Sequence, residues 1–172
     1  MKRNIAYKTA LSAILCALAL SVGFIESLLP PIPFLPPGAK PGFSNIIIMF
    51  AAGSLGLPQT LMIVLVKGCF AFATRGFTAG VMSLSGGILS AVAMFILLRY
   101  GNKIFGLMGI SVISALCHNI GQLIAAAFIT AASSIVYYAP ALAVFGILTG
   151  AVTGVIFKAV IPALDKLKNI LH

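Results

Sequence analysis

Seven polar side chains stand out in a chain that is 61% hydrophobic and only 8% charged: Glu26, Lys40, Lys67, Arg75, His118, Asn119 and Gln122. Glu26 is one of just two acidic residues. Paired carboxylates for general acid–base work are therefore missing, as is an aspartate-rich motif that would hold Mg²⁺ on a diphosphate. His118 has no carboxylate to orient it and no obvious nucleophile beside it, so no triad is expected. A proton relay through Glu26 and His118 is the one catalytic role left open, and the chain reads as a binding protein, not an enzyme. No metal or cofactor is expected.

All of these except the loop residue Lys40 would be costly against lipid, so Glu26, Lys67, Arg75, His118, Asn119 and Gln122 are expected to face inward. His118, Asn119 and Gln122 fall within about 100° of arc on one helix and form a single polar patch. Two readings follow. In the first, Glu26 pairs with Lys67 or Arg75, and the amides satisfy broken backbone in a neighbouring helix. In the second, Lys40, Lys67, Arg75 and His118 converge on an outward-opening pocket. Positive groups outnumber the carboxylate there, which suits an anion carrying an apolar body.

The elements that position these groups follow from composition. A mean hydropathy of +1.18 over 172 residues lies far outside the range of soluble domains and specifies an integral membrane protein. About 20 apolar residues span a bilayer as a helix, and the segmentation predicts one all-α domain of six transmembrane helices, at about 5–29, 43–57, 58–74, 77–100, 106–131 and 134–161. Between the first two lies Glu26–Asn45, ESLLPPIPFLPPGAKPGFSN, with six of the nine prolines. Irregular backbone of this kind cannot lie in lipid, so a lid loop at about 30–42 is expected to cap or line something.

Helix one carries Ala6, Ala10, Ala13 and Ala17, two pairs at four-residue spacing that allow another helix to approach closely. Packing within the chain and docking onto another membrane subunit are both compatible with this face. Gly56-Leu57-Pro58 marks a sharp boundary between two short helices. Gly86-Gly87 predicts a kink or a close backbone contact in helix four. Gly146, Gly150 and Gly154 repeat the GxxxG packing pattern in helix six. Cys16, Cys69 and Cys117 lie in apolar segments without metal or redox spacing and read as small core residues. The apolar run after Met1-Lys2-Arg3 is too long for an ordinary signal peptide and reads as the first membrane helix.

The net charge of +9 reports topology, not nucleic acid. With six helices, Lys2, Arg3, Lys8, Arg99, Lys103, Lys158, Lys166 and Lys168 share one side, which the positive-inside rule makes cytoplasmic. Both termini are then cytoplasmic, in a multi-pass protein of the cell membrane, and the proline-rich loop is extracytoplasmic.

Four motifs carry a resemblance: Glu26-Ser27-Leu28-Leu29-Pro30-Pro31; Pro37-Gly38-Ala39-Lys40-Pro41-Gly42 with Asn45; Ser85-Gly86-Gly87 with Ser90; and His118-Asn119-Ile120-Gly121-Gln122. In these the chain resembles the Gx transporter family, also labelled heptaprenyl diphosphate synthase component I. One departure is Pro41-Gly42-Phe43, where an aliphatic residue followed by Gly-Leu is expected. That family is similar to the substrate-binding S components of energy-coupling factor (ECF) vitamin transporters. Those are six-helix proteins with a small-residue face on helix one and a loop over an outward pocket.

The resemblance implies an ECF S-component-like bundle that binds substrate outside and is driven by separate ATPase subunits through a transmembrane coupling subunit. No Walker motif occurs in this chain. With this resemblance, the candidate substrate-binding residues are Glu26, Lys40, Asn45, His118, Asn119 and Gln122 from the shared motifs and Lys67 and Arg75 from the charge reading, and the alanine face of Ala6, Ala10, Ala13 and Ala17 fits the docking pattern independently. A quinone precursor, a prenyl diphosphate or a flavin-like compound would each match. The alternative is a membrane subunit of a flavin/quinone electron-transfer or prenyl diphosphate synthase assembly.

Overall fold

The computed structural model describes residues 2–30, 40, 42–131 and 133–170, with side chains described for 6–30, 40, 42–101, 104–131 and 134–159. Most of the expected lid, residues 31–39 and 41, lies outside the described residues. Six α-helices follow in order: α1 (Lys2–Leu28), α2 (Asn45–Ser54), α3 (Leu57–Arg75), α4 (Phe77–Ile96), α5 (Asn102–Thr130) and α6 (Ala139–Ile170). A π-turn, Leu97–Gly101, extends α4, and a 3-10 turn, Ser133–Tyr138, leads into α6.

Glycine and proline set the boundaries. Gly56 precedes α3, with Pro58 in its first turn. Gly76 alone separates α3 from α4, at φ 86°, a backbone conformation that glycine adopts without steric cost. Gly106 (φ 58°, ψ 173°) breaks the regular path of α5 near its start. In contrast, α4 runs unbroken through Ser83–Gly87, so of the two expectations for its glycines the close backbone contact is the one realised.

Among the described residues, five stretches are long and apolar enough to cross a membrane: Ala6–Leu28, Leu57–Arg75, Phe77–Gly101, Ile104–Thr130 and Ser134–Ala159. The protein is thus a multi-pass helical membrane protein. The ten residues of α2 rise only about 15 Å, half of a hydrocarbon core. Of the two helices expected to be short, α3 is long enough to span and α2 is of half length.

Helix pairing follows small residues. A Cβ on Gly121 of α5 would stand 2.7 Å from the Cα of Gly86 on α4, and a Cβ on Gly150 of α6 would stand 2.6 Å from the Cα of Val112 on α5. Gly146 and Gly154 likewise press on Leu116 and Met108 of α5. The GxxxG repeat of α6 therefore packs inside the chain. Contacts of Gly68 with Leu84 and of Gly80 with Phe72 set α3 and α4 antiparallel. By comparison, α1 and α3 run parallel: Lys8 and Ser12 share a groove with Gln59 and Ile63 near their starts, and the Phe24 and Phe70 rings meet at 6.5 Å near their ends.

The core surrounds α2. Ile48, Met49 and Ala51 are fully buried among Leu15 and Ala19 of α1, Ile63 and Val64 of α3, Ala91 and Met94 of α4, Ile110 of α5 and Phe157 of α6. On α1, the buried residues Leu15, Ala19 and Glu26 share one face. Ala6, Ala10, Ala13 and Ala17 are all exposed and lie about 180° around the helix from it.

Candidate functional site: a cation-lined cavity at the α1–α2 junction

Where α1 ends and α2 begins, the backbone enters the bundle without helical structure. Gly42 is buried at φ +87°, and a Cβ there would stand 2.9 Å from Asn45 Nδ2 and 3.3 Å from His118 Cδ2. On the other side of the imidazole, a Cβ on Gly86 would stand 2.9 Å from His118 Nδ1. The ring of His118 is thus flanked by two glycines, one from the junction and one from α4. Ser85 Oγ fixes this crossing by donating to the Gly121 carbonyl at 2.9 Å. Irregular backbone at such a depth is tolerated where protein surrounds it or a cavity adjoins it.

Two side chains hold the junction. Gln122 pairs with the backbone of Lys40 at both ends of its amide: Oε1 accepts from the Lys40 N–H at 3.2 Å and Nε2 donates to the Lys40 carbonyl at 3.3 Å. Glu26 takes the two groups that follow. One carboxylate oxygen accepts from the Phe43 N–H, and the other accepts from Ser44 Oγ at 3.1 Å. A carboxylate at this point also suits the start of α2, where the helix dipole is positive. One of the two sequence readings paired Glu26 with Lys67 or Arg75; the hydrogen bonds of its carboxylate go to the α2 lead-in.

Beside the junction is a cavity bordered by Glu26, Lys40, Gly42, Lys67, Arg75, His118 and Gln122, with Ala19, Gly23, Phe70, Ala79 and Ser83 among its apolar and small walls. Lys67 and Arg75 are eight residues apart on α3, so the site extends about 12 Å along the bundle. Its free space is about 30 Å³ measured to water centres, room for about two waters or the oxygens of one head group. Lys67 is 8% exposed and His118 4%. Arg75 Nη1 and His118 Nδ1 are buried without a hydrogen-bond partner among the described residues. Lys40 lies at the mouth, its Nζ donating to the Leu29 carbonyl at 3.3 Å. Partial burial and the nearby Arg75 guanidinium push its ammonium below the usual lysine value, with Glu26 opposing the shift.

Six of the eight residues expected to bind substrate border this cavity. Asn45 and Asn119 do not. Asn119 Nδ2 donates to the Leu142 carbonyl at 2.7 Å and ties α5 to α6. Asn45 is buried beside Gly42, its Oδ1 without a partner among the described residues. Sequence reasoning missed Ser83 and the roles of Gly42, Phe43 and Ser44. The Pro41-Gly42 pair was the signal available, since it marks a turn with unusual backbone.

The four motifs quoted above thus meet in space: Glu26 from the first, Lys40 and Gly42 from the second, Gly86 from the third, and His118, Gly121 and Gln122 from the fourth. No curated protein and no solved structure matches the chain. A family model described as heptaprenyl diphosphate synthase component I matches residues 15–160, a span that contains every one of these residues, and the chain belongs to that family.

Proposed function

We propose that this protein is the membrane-embedded substrate-binding component of an ECF-type transporter, without catalysis of its own. It binds a small anionic, amphipathic cofactor or precursor, and separate ATPase and coupling subunits drive uptake. One observation carries this reading: unpartnered cationic and imidazole groups converge on a cavity next to irregular backbone, on the side of α1 opposite an exposed alanine face. The first feature suits a ligand and the second suits a docking helix. Glu26, Lys40 and Gln122 hold the junction and border the ligand, Lys67, Arg75 and His118 address its head, and Asn45 and Asn119 support the walls. In this reading α2 and its lead-in complete a sixth crossing, both termini are cytoplasmic, and the site opens outward.

The family description favours a second reading, a membrane component of a prenyl diphosphate synthase assembly, in which the cavity would hold a polyprenyl or quinone chain. Native mass spectrometry of the detergent-purified protein, followed by extraction of any co-purifying small molecule, separates the two. A stoichiometric anionic cofactor, with ATPase subunits retained at low detergent, supports transport. Retention of a soluble prenyl synthase in their place overturns it.

A further inference from the structure

The charge around the cavity is unbalanced. Lys40, Lys67 and Arg75 border it with a single carboxylate, Glu26, and histidine is counted as neutral. Two positive charges therefore remain uncompensated; Lys40 lies at the mouth, but Lys67 is buried, where an unpaired charge is expensive. A singly charged carboxylate would leave one of them unmatched. The unpartnered groups reach the space from two helices, Arg75 Nη1 from α3 and His118 Nδ1 from α5, and the buried Lys67 adds a further cation on α3. A planar carboxylate offers two oxygens in one plane, whereas a tetrahedral phosphate offers three in different directions.

We infer that the head group taken by this cavity is a dianion of the phosphate-monoester type, borne on an apolar or aromatic body. The inference rests on the proposed anion-binding role and narrows it to one charge class. Burial of Lys67 and the fixed backbone around His118 make the site selective for charge as well as for shape, because water cannot enter in quantity to screen a mismatch.

The test uses the full chain in neutral detergent at pH 8, titrated with phenyl phosphate, phenyl sulfate and phenol. The second phosphate ionisation lies near pH 6, so phenyl phosphate carries two charges and phenyl sulfate one, on nearly the same tetrahedral frame. Phenyl phosphate is expected to bind at least about tenfold more tightly than phenyl sulfate, the effect of one further charge-assisted contact. Lys67→Met removes one of the two excess charges and should abolish that preference. Lys40→Gln, at the mouth and less dependent on packing, should reduce it in the same way if the Lys67 variant does not fold. Equal affinity for the two esters in the native chain, a preference unchanged in both variants, or no binding by any of the three compounds overturns the dianion while leaving anion binding to be judged on the co-purified ligand. Equal binding of phenol and both esters overturns the anion-binding role as well.

Discussion

At the scale of single residues, the polar groups of this protein divide into those that build the site and those left to fill it. Gln122 belongs to the first set, since both ends of its amide are spent on the Lys40 backbone. Gln122→Ala removes two hydrogen bonds of about 1 kcal/mol each, which corresponds to about a thirty-fold shift in a local opening equilibrium. Amide exchange at Phe43 and Ser44 should accelerate accordingly while exchange in the middle of α4 stays unchanged; equal protection in both places would show that Gln122 does not hold the junction. Lys40 gives a pH signature. Its proton is held less firmly than in an ordinary lysine, so it is lost at a lower pH. Anion affinity should therefore begin to fall below the usual lysine value of 10.5, and Lys40→Arg should move that decline to higher pH in a titration of phenyl phosphate binding.

Much of this division was legible in the sequence, and the part that was not has a physical cause. That Lys67, Arg75, His118 and Gln122 face inward follows from the cost of polar groups in lipid. Which partner each one takes does not, because the cost is relieved equally well by a side chain, a backbone group or a ligand. Glu26 shows the difference: a pairing with Lys67 or Arg75 and a pairing with the Phe43 N–H satisfy the same carboxylate, and only the path of the backbone after residue 40 decides between them. Asn119 is similar. It shares the polar face of α5 with His118, yet the proximity of the Leu142 carbonyl on α6 draws it away from the cavity.

At the scale of elements, α1 has two faces in different surroundings. Ala19 is fully buried against the core, and Ala13 is exposed. Ala19→Leu should cost about 1–3 kcal/mol through overpacking and lower the melting temperature. Ala13→Leu should leave melting unchanged and abolish association with a coupling subunit. Loss of stability in the Ala13 variant, or undiminished association, would remove the docking role from this face. Spacing alone identified the alanine stripe but could not orient it, since four-residue periodicity is the same whether a face meets its own chain or a partner. The GxxxG repeat of α6 carried the identical ambiguity, and the structure seats it on α5.

For the whole molecule, the number of crossings is the property that residue patterns constrain least. Hydropathy identifies five long helices, while α2 depends on where its lead-in begins. α1 and α3 run parallel, and the proposed reading has the chain return between them through α2 and its lead-in. Protease-cleavable tags on both termini of the full chain should therefore be cut together in inside-out vesicles and spared together in right-side-out ones. Opposite susceptibility would mean five crossings.

The half-length of α2 has a consequence for how the protein is made. An insertion machinery that partitions nascent segments one by one requires about 20 apolar residues to commit a helix to lipid, and α2 supplies ten. Its seat is assembled from five other helices, the last contribution being Phe157 of α6. During synthesis α2 therefore has no finished place to go until nearly the whole chain has left the ribosome, and the cavity, whose floor is the α2 lead-in, closes last. A ligand or a membrane chaperone present at that late moment would meet a bundle whose walls stand before its interior is occupied.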